Sequence, residues 1–448
     1  MPNAPTLSAL PTVTTTTATT TIATKANHNL TPLDPFHGYF KPDDDAPEID
    51  AMIKSRSAFR WIRDIHQMIS GGVYSFQQTM SGKSGPEVFS NNRTMFMLSS
   101  YDYLGLVGHP YIEAATINAI KNFGTGTGGA RMLAGTNQLH RQLEKKVAAF
   151  KGKPAALACS SGYMANLAVI SCIVQKKDRV IIDELAHRSL IDAVNLAQVP
   201  FQKFKHNNAE HLKSLLEKPT DAEKTFIVIE GIYSMEGDIC ALPEIVKLKK
   251  AHNAYIILDE SHSFGLLGRN GRGVDEHFGI SPNDIDIYTS ALSKSVPSGG
   301  GFVAASEQTI IFLQHAASAF VFSSAMSPMN TAAALAGVEI IEKEGPERIR
   351  KLFDNADYLR RNLKKLGYNV GVSESAIIPV IIGHTERTLQ LSAKLYELGF
   401  LANPVIFPAI PPGGDRLRLC VTAAQSKYML DEVIFAFSLC TEIAIRQE

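Results

Sequence analysis

"AYIILDESHSFG", residues 254–265, sets five apolar residues directly ahead of Asp259, Glu260, Ser261 and His262. An apolar run this short, with no polar alternation, reads as a strand buried on both faces, the habit of parallel sheets. The polar residues then fall at the strand's carboxyl end, where open α/β sheets collect ligands. The same form recurs in "AALAC" (155–159), "RVIID" (179–183), "TFIVIE" (225–230), "IDIYTSA" (285–291) and "GFVAAS" (301–306). Helical stretches lie between many of them. "QLHRQLEKKVAAF" (138–150) puts Leu139, Leu143, Val147 and Phe150 on one face, and "LPEIVKLKKAHN" (242–253) carries Pro243 in its first turn. The alternation predicts an α/β fold: a large domain over residues 96–335 with a mostly parallel sheet covered by helices.

Past residue 335 the texture changes. "PERIRKLFDNADYLRRNLKKLG" (346–367) reads as a long amphipathic helix stopped by Gly367, followed by a strand in "SAIIPVIIG" (375–383). "TERTLQLSAKLYELG" (385–399) is a further helix, and "DRLRLCVTA" (415–423) a final strand before a C-terminal helix. This predicts a smaller α+β domain over 336–448. Residues 31–95 read as an N-terminal arm. Residues 1–30 contain "TVTTTTATTTIATKANHN", whose threonines lack the apolar surface needed to offset ordering entropy, so this tail is expected to be disordered.

The 448 residues are 45% hydrophobic and 20% charged, enough for a sizeable core. Lys+Arg and Asp+Glu both count 44, so no overall field favours nucleic acid or an anionic membrane, and no apolar run is long enough to span a bilayer. Cys159, Cys172, Cys240, Cys420 and Cys440 form no CxxC pair, which points to a reducing compartment and no metal site. The tail has neither the basic start nor the apolar region of a secretory signal, and no arginine occurs before Arg56, so a cytoplasmic location is expected.

Four strand ends carry candidate chemistry. "VIIDELAHRS" delivers His187, "IVIEGIYSMEGD" delivers Glu230 and Ser234, the opening stretch delivers Asp259 and His262, and "IYTSALSK" delivers Lys294. A lone lysine in a loop is ordinarily just solvated, but Lys294 stands among small residues ahead of a triple glycine, in "LSKSVPSGGG". These residue types suit pyridoxal 5'-phosphate, which needs a lysine for a Schiff base, an acid opposite its ring nitrogen and an anion-binding turn. "CSSGYMAN" (159–166) offers the turn: Ser160, Ser161 and Gly162 follow a strand and open a helix. Asp259 suits the ring nitrogen, His187 the ring face and His262 the phenolic oxygen.

"DESHSFGLLGRNGRGVDEHFG" (259–279) resembles the signature of the α-oxoamine synthases, a branch of the fold-type I pyridoxal phosphate transferases. "SYDYLGLVGHP", "GTGTGGARMLAGTNQLHRQLEKKVAAF", "SSGYMAN", "DELAHRSLIDA", "YSMEGD" and "LSKSVPSGGGF" are similar to that family's other landmarks, in the same order over residues 95–430. Its members include serine palmitoyltransferase, aminolevulinate synthase and oxononanoate synthase. The resemblance implies a homodimer with active sites at the subunit interface, condensing an amino acid with an acyl thioester on coenzyme A or a carrier protein, usually with loss of carbon dioxide. It implies that Lys294 anchors the cofactor and removes the α-proton, and that Asp259, His262, His187 and Ser234 contact it. Backbone amides of Gly162 and Tyr163 would hold the phosphate, with Ser323 or Ser324 reaching across from a partner subunit.

Three positions depart from the family. Tyr101 replaces an asparagine that helps hold the substrate carboxylate. Ile406 stands where an arginine grips that carboxylate, and Ala291 where a threonine is common. Arg418, in "RLRLC", matches a second family arginine and is the candidate to take over. The "GTGTGG" run follows the helical "EAATINAIKNF", so a dinucleotide site is rejected in favour of a loop beside the active site. The altered carboxylate grip keeps open an aminotransferase, aldolase or decarboxylase reaction on the same fold; a partner subunit without activity is a second alternative, against which the presence of Lys294, Asp259 and His262 argues.

Overall fold

A computed structural model describes residues 31–32, 34–36, 38–39 and 49–445; the threonine-rich tail lies outside them. After the helix Arg56–Ser70, the strands β1 (Glu87–Ser90) and β2 (Arg93–Met97) form a hairpin. Its two-residue turn is Asn91-Asn92, both at positive φ (49° and 58°), a conformation asparagine tolerates better than most residues.

The central sheet uses β3 (Ala155–Cys159), β4 (Arg179–Asp183), β5 (Phe201–Phe204), β6 (Thr225–Glu230), β7 (Tyr255–Asp259), β8 (Ile287–Ala291) and β9 (Gly301–Ala305). Their spatial order is β3-β9-β8-β7-β6-β4-β5. β8, β7, β6, β4 and β5 run parallel, and β9 lies antiparallel between β8 and β3. Successive residues of β6 serve opposite cores: Ile227 and Ile229 pack into one, Phe226 and Val228 into the other. This two-sided burial is why the run is apolar without alternation. Each such side chain contributes about 1.5–3 kcal/mol relative to exposure. Because β4, β6, β7 and β8 point the same way, their polar ends emerge on one edge, with Glu230 paired to Asp259 and Asp259 to Thr289 in register.

A second sheet joins β10 (Ile377–Ile381), β12 (Pro404–Val405) and β13 (Arg416–Cys420), all antiparallel, while β11 (Phe400–Leu401) pairs with β2. The N-terminal hairpin is thereby tied to the C-terminal part of the chain. The long helix differs from expectation. It runs from Pro328 to Lys365 and passes straight through Pro346, where the sequence suggested a start. An interior proline forfeits a backbone hydrogen bond. Buried Ile340, Ile341, Ile349 and Leu352 on both sides hold the helix on the core and offset that loss.

A polar clip fastens the loop after β6. His206 Nδ1 meets Asp183 Oδ1 at 3.0 Å and its Nε2 meets Asp238 Oδ2 at 3.1 Å. Both ring nitrogens face carboxylates, so both carry protons. Burial opposes that charge, but the hydrogen bonds and charges of Asp183 and Asp238 outweigh it and push the pKa up to about 10. A folded-state pKa above the unfolded value of about 6.5 stabilises the fold fully below that pH. The contribution is lost as pH rises towards 10. His206→Gln should lower stability by about 3 kcal/mol at pH 6, the low end for breaking a buried pair. It should also flatten the fall in Tm between pH 7 and 10; an unchanged Tm–pH curve in the variant would remove this role.

Candidate active site

The four strand ends do converge. Asp259, at the end of β7, is buried; its Oδ1 accepts from the Ser261 amide (2.8 Å) and its Oδ2 from Asn166 Nδ2 (2.7 Å). Lys294, three residues beyond β8, is half-buried, and its amine has no hydrogen-bond or ion-pair partner among the described residues. Burial lowers its pKa to about 8, although the charges of Asp259 and Glu230 pull the other way. An amine with this pKa is partly neutral near physiological pH, so it can attack a carbonyl or take a proton.

His187 caps the helix Arg188–Ala197 and remains exposed, leaving its ring open to a ligand. Its amide donates to Glu230 Oε1 at 2.5 Å. Burial, then the nearby Asp259, raises the Glu230 pKa well above the usual carboxylate range. His262 is buried, and its Nδ1 lies 2.9 Å from the Tyr103 hydroxyl. Burial and the neighbouring charges of Lys294 and Arg418 hold it neutral. With Nδ1 engaged by Tyr103, Nε2 is left to address a ligand.

The turn before the helix Gly162–Ile173 packs tightly on β8: a Cβ at Gly162 would lie 2.7 Å from that of Ala291, which requires glycine there. The first amides of this helix, at Gly162 and Tyr163, have no carbonyl of their own helix to donate to, and the Ser161 hydroxyl takes only the amide of Met164. Such a helix start favours an anion. Ser323, expected to approach from a partner subunit, lies with its hydroxyl 3.3 Å from that of Ser160 in the same chain. Ser324 bridges to Ala130, just after the glycine run, which follows the helix Pro110–Phe123. These groups fit pyridoxal phosphate. The Lys294 amine feels the charges of Asp259 and Glu230, the His187 ring feels Asp259 and Lys294, and Asn166 ties Asp259 to the helix that begins at Gly162.

Arg418 is buried on β13. Its Nε donates to the carbonyl of Ser234, Nη1 to Cys420 Sγ (2.9 Å) and Nη2 to the Tyr103 hydroxyl (3.4 Å). Its guanidinium sits 4.8 Å from the Tyr101 ring centroid, and Tyr101 in turn stands edge-on to His262 at 5.9 Å. A cavity of about 410 Å³ opens here, lined by the apolar Met80, Met97, Met235, Leu401 and Val405 and by seven serine, glutamine and asparagine residues. Arg418 is the one charged side chain among the described residues lining it. Ile406 follows Val405 and is not part of the wall. Tyr103, Asn166 and Ser189 were not singled out from sequence. Asn166 and Tyr103 lie inside quoted motifs, but no spacing rule says which motif residue faces a strand end.

An aminotransferase class I and II family model matches residues 93–437. Serine palmitoyltransferase of Bacteroides thetaiotaomicron is 38% identical over 368 residues, 82% of this chain and 93% of that protein. 8-Amino-7-oxononanoate synthase of Thermoanaerobacter pseudethanolicus is 38% identical over 374 residues, 83% of this chain and 94% of that one. Among solved structures, Sphingomonas wittichii serine palmitoyltransferase superposes with a TM-score of 0.84 at 31% identity, covering 88% of this chain and 99% of its own. A serine palmitoyltransferase holding a pyridoxal phosphate internal aldimine matches with a TM-score of 0.84, also at 31% identity, over 87% and 99% of the two chains. The chain belongs to the aminotransferase class I and II family and, within it, to the α-oxoamine synthases.

Proposed function

We propose that this protein is a pyridoxal phosphate-dependent acyltransferase that condenses an amino acid with an acyl thioester to give an α-amino ketone. The observation that carries this reading is the Lys294 amine, without a hydrogen-bond or ion-pair partner among the described residues and close enough to Asp259, Glu230 and Arg418 to feel their charges. When bound, the cofactor supplies an electron sink for the substrate's α-carbon. Asp259 would hold the ring nitrogen protonated and so maintain that sink. Lys294 would hold the cofactor, and its Nζ would accept the substrate's α-proton. His187 would lie against the ring, His262 would offer Nε2 to the phenolic oxygen, and Ser234 would add a polar contact. The amides of Gly162 and Tyr163, with Ser323 and Ser324, would hold the phosphate.

The amino-acid carboxylate is assigned to Arg418, whose two remaining N–H groups are free of the contacts described above. Tyr101 covers that guanidinium and takes the place of the missing amide. Met80, Met97 and Met235 give this otherwise largely polar wall an apolar surface for an acyl chain, since methionine adapts to irregular ligands. We also propose a homodimer. Leu133 and Phe322, 85% and 86% exposed, flank the Ala130–Ser324 bridge beside the phosphate turn, where a second copy would cover them. Five unpaired cysteines are in keeping with a cytoplasmic setting, and no helix among the described residues is long and apolar enough to cross a membrane.

The test is a panel of amino acids crossed with acyl thioesters on coenzyme A and on a carrier protein, read by mass spectrometry. The expected product appears only when both substrates are present, and its mass reports whether carbon dioxide leaves. Consumption of amino acid without thioester, giving an oxo acid or an amine, would replace this reading with the aminotransferase or decarboxylase alternative.

A further inference from the structure

Asn166 is 2% exposed, one turn into the helix that starts at Gly162, and every polar atom of its carboxamide is engaged. Nδ2 donates to Asp259 Oδ2 (2.7 Å) and to Ser189 Oγ (2.8 Å), while Oδ1 accepts from the Thr289 hydroxyl (2.6 Å). The carboxylate of Asp259 can only accept, which fixes the amide's orientation. Ser189 Oγ receives one proton from Asn166, so its own hydroxyl proton is free to go to His187 Nδ1, 2.7 Å away. The Ser189 amide also points at Nδ1, at 3.2 Å. Nδ1 therefore accepts, and the ring proton of His187 resides on Nε2.

We infer that Asn166 is a positioning residue: one carboxamide clamps Asp259 and, through Ser189, orients His187 as its Nε2–H tautomer. The inference rests on the reading of Asp259 and His187 as cofactor contacts. It joins groups from four elements: β7, β8 and the helices beginning at Gly162 and Arg188. Thr289, five residues before Lys294, locks the arrangement from the β8 side. Asparagine suits the position because it alone offers two donors and an acceptor at this reach. Aspartate would lose both donors and set a second negative charge against Asp259. Leucine would fill the space and donate nothing.

The experiment measures cofactor retention and the pH titration of the bound cofactor's absorbance in purified holoprotein. Asn166→Leu should weaken retention roughly ten- to a hundredfold, the range for a hydrogen bond to a charged group. Asn166→Asp should be as weak at pH 8 but recover relative to the unchanged protein as pH falls, because a protonated carboxyl regains one donor; a merely structural role gives no such recovery. Thr289→Val should weaken retention by a smaller factor and Thr289→Ser should restore it, and this pair decides the matter if the Asn166 variants do not fold. Unchanged retention and titration in the folded Asn166 variants, or no difference between the valine and serine variants, would overturn the inference. Asp259→Asn separates the two levels. If it too leaves retention unchanged, the assignment of Asp259 itself is wrong; if it weakens retention while the other variants do not, only the positioning role is lost.

Discussion

Replacing Lys294 with alanine should yield a folded protein that no longer fixes its cofactor and turns over at least ~10²–10⁴-fold more slowly, the usual worth of a positioned acid–base group. The fold should survive, because the side chain is half-buried and its amine bonds to nothing among the described residues. Borohydride reduction of the unchanged protein followed by peptide mass mapping should place the cofactor on Lys294. A label on another lysine would refute the assignment. The pH dependence has a definite sign. Only the neutral amine is a nucleophile, so cofactor attachment to apoprotein should accelerate as pH rises through about 8 and then level off.

Removing the guanidinium of Arg418 should weaken amino-acid binding ten- to a hundredfold, from the ~1.5–3 kcal/mol of a charge-assisted pair, while the cofactor stays attached. Arg418→Ala should also lower stability, since the side chain anchors the Ser234 carbonyl and the Tyr103 hydroxyl from a buried position. The two effects separate through Arg418→Lys. An ammonium keeps the charge but not the planar fork, so substrate affinity should recover only in part. Arginine introduced at Ile406 in the Arg418→Ala background should restore binding if that position faces the carboxylate. Unchanged amino-acid affinity in Arg418→Ala would mean another group holds the carboxylate.

The parallel core was legible because two-sided burial leaves continuous apolar runs, as in β6 and β7, and their polar ends named most of the site. β5 was not legible. "FQKF" buries Phe204 but exposes Gln202 and Lys203, as an edge strand does, and nothing in four residues separates that from a loop. β11 and β12, two residues each, exist only through their partners. The passage of a helix through Pro346 was hidden because proline's local penalty is visible in sequence and the burial that offsets it is not. Asn166 escaped for a related reason. Its role depends on β7, β8 and a second helix meeting it, all distant in the chain.

The Pro328–Lys365 helix has a mechanical consequence. At 1.5 Å per residue, its 38 residues make a rod about 57 Å long. Its first half packs against the helix Pro110–Phe123, and its second reaches β10 and the helix Lys427–Ser438. A rod gripped at both ends transmits torque rather than absorbing it. Gly345-Pro346 is where it is softest, because the proline has no amide hydrogen to brace the preceding turn. Any twist between the two ends of the helix would concentrate at this joint rather than spread along the rod.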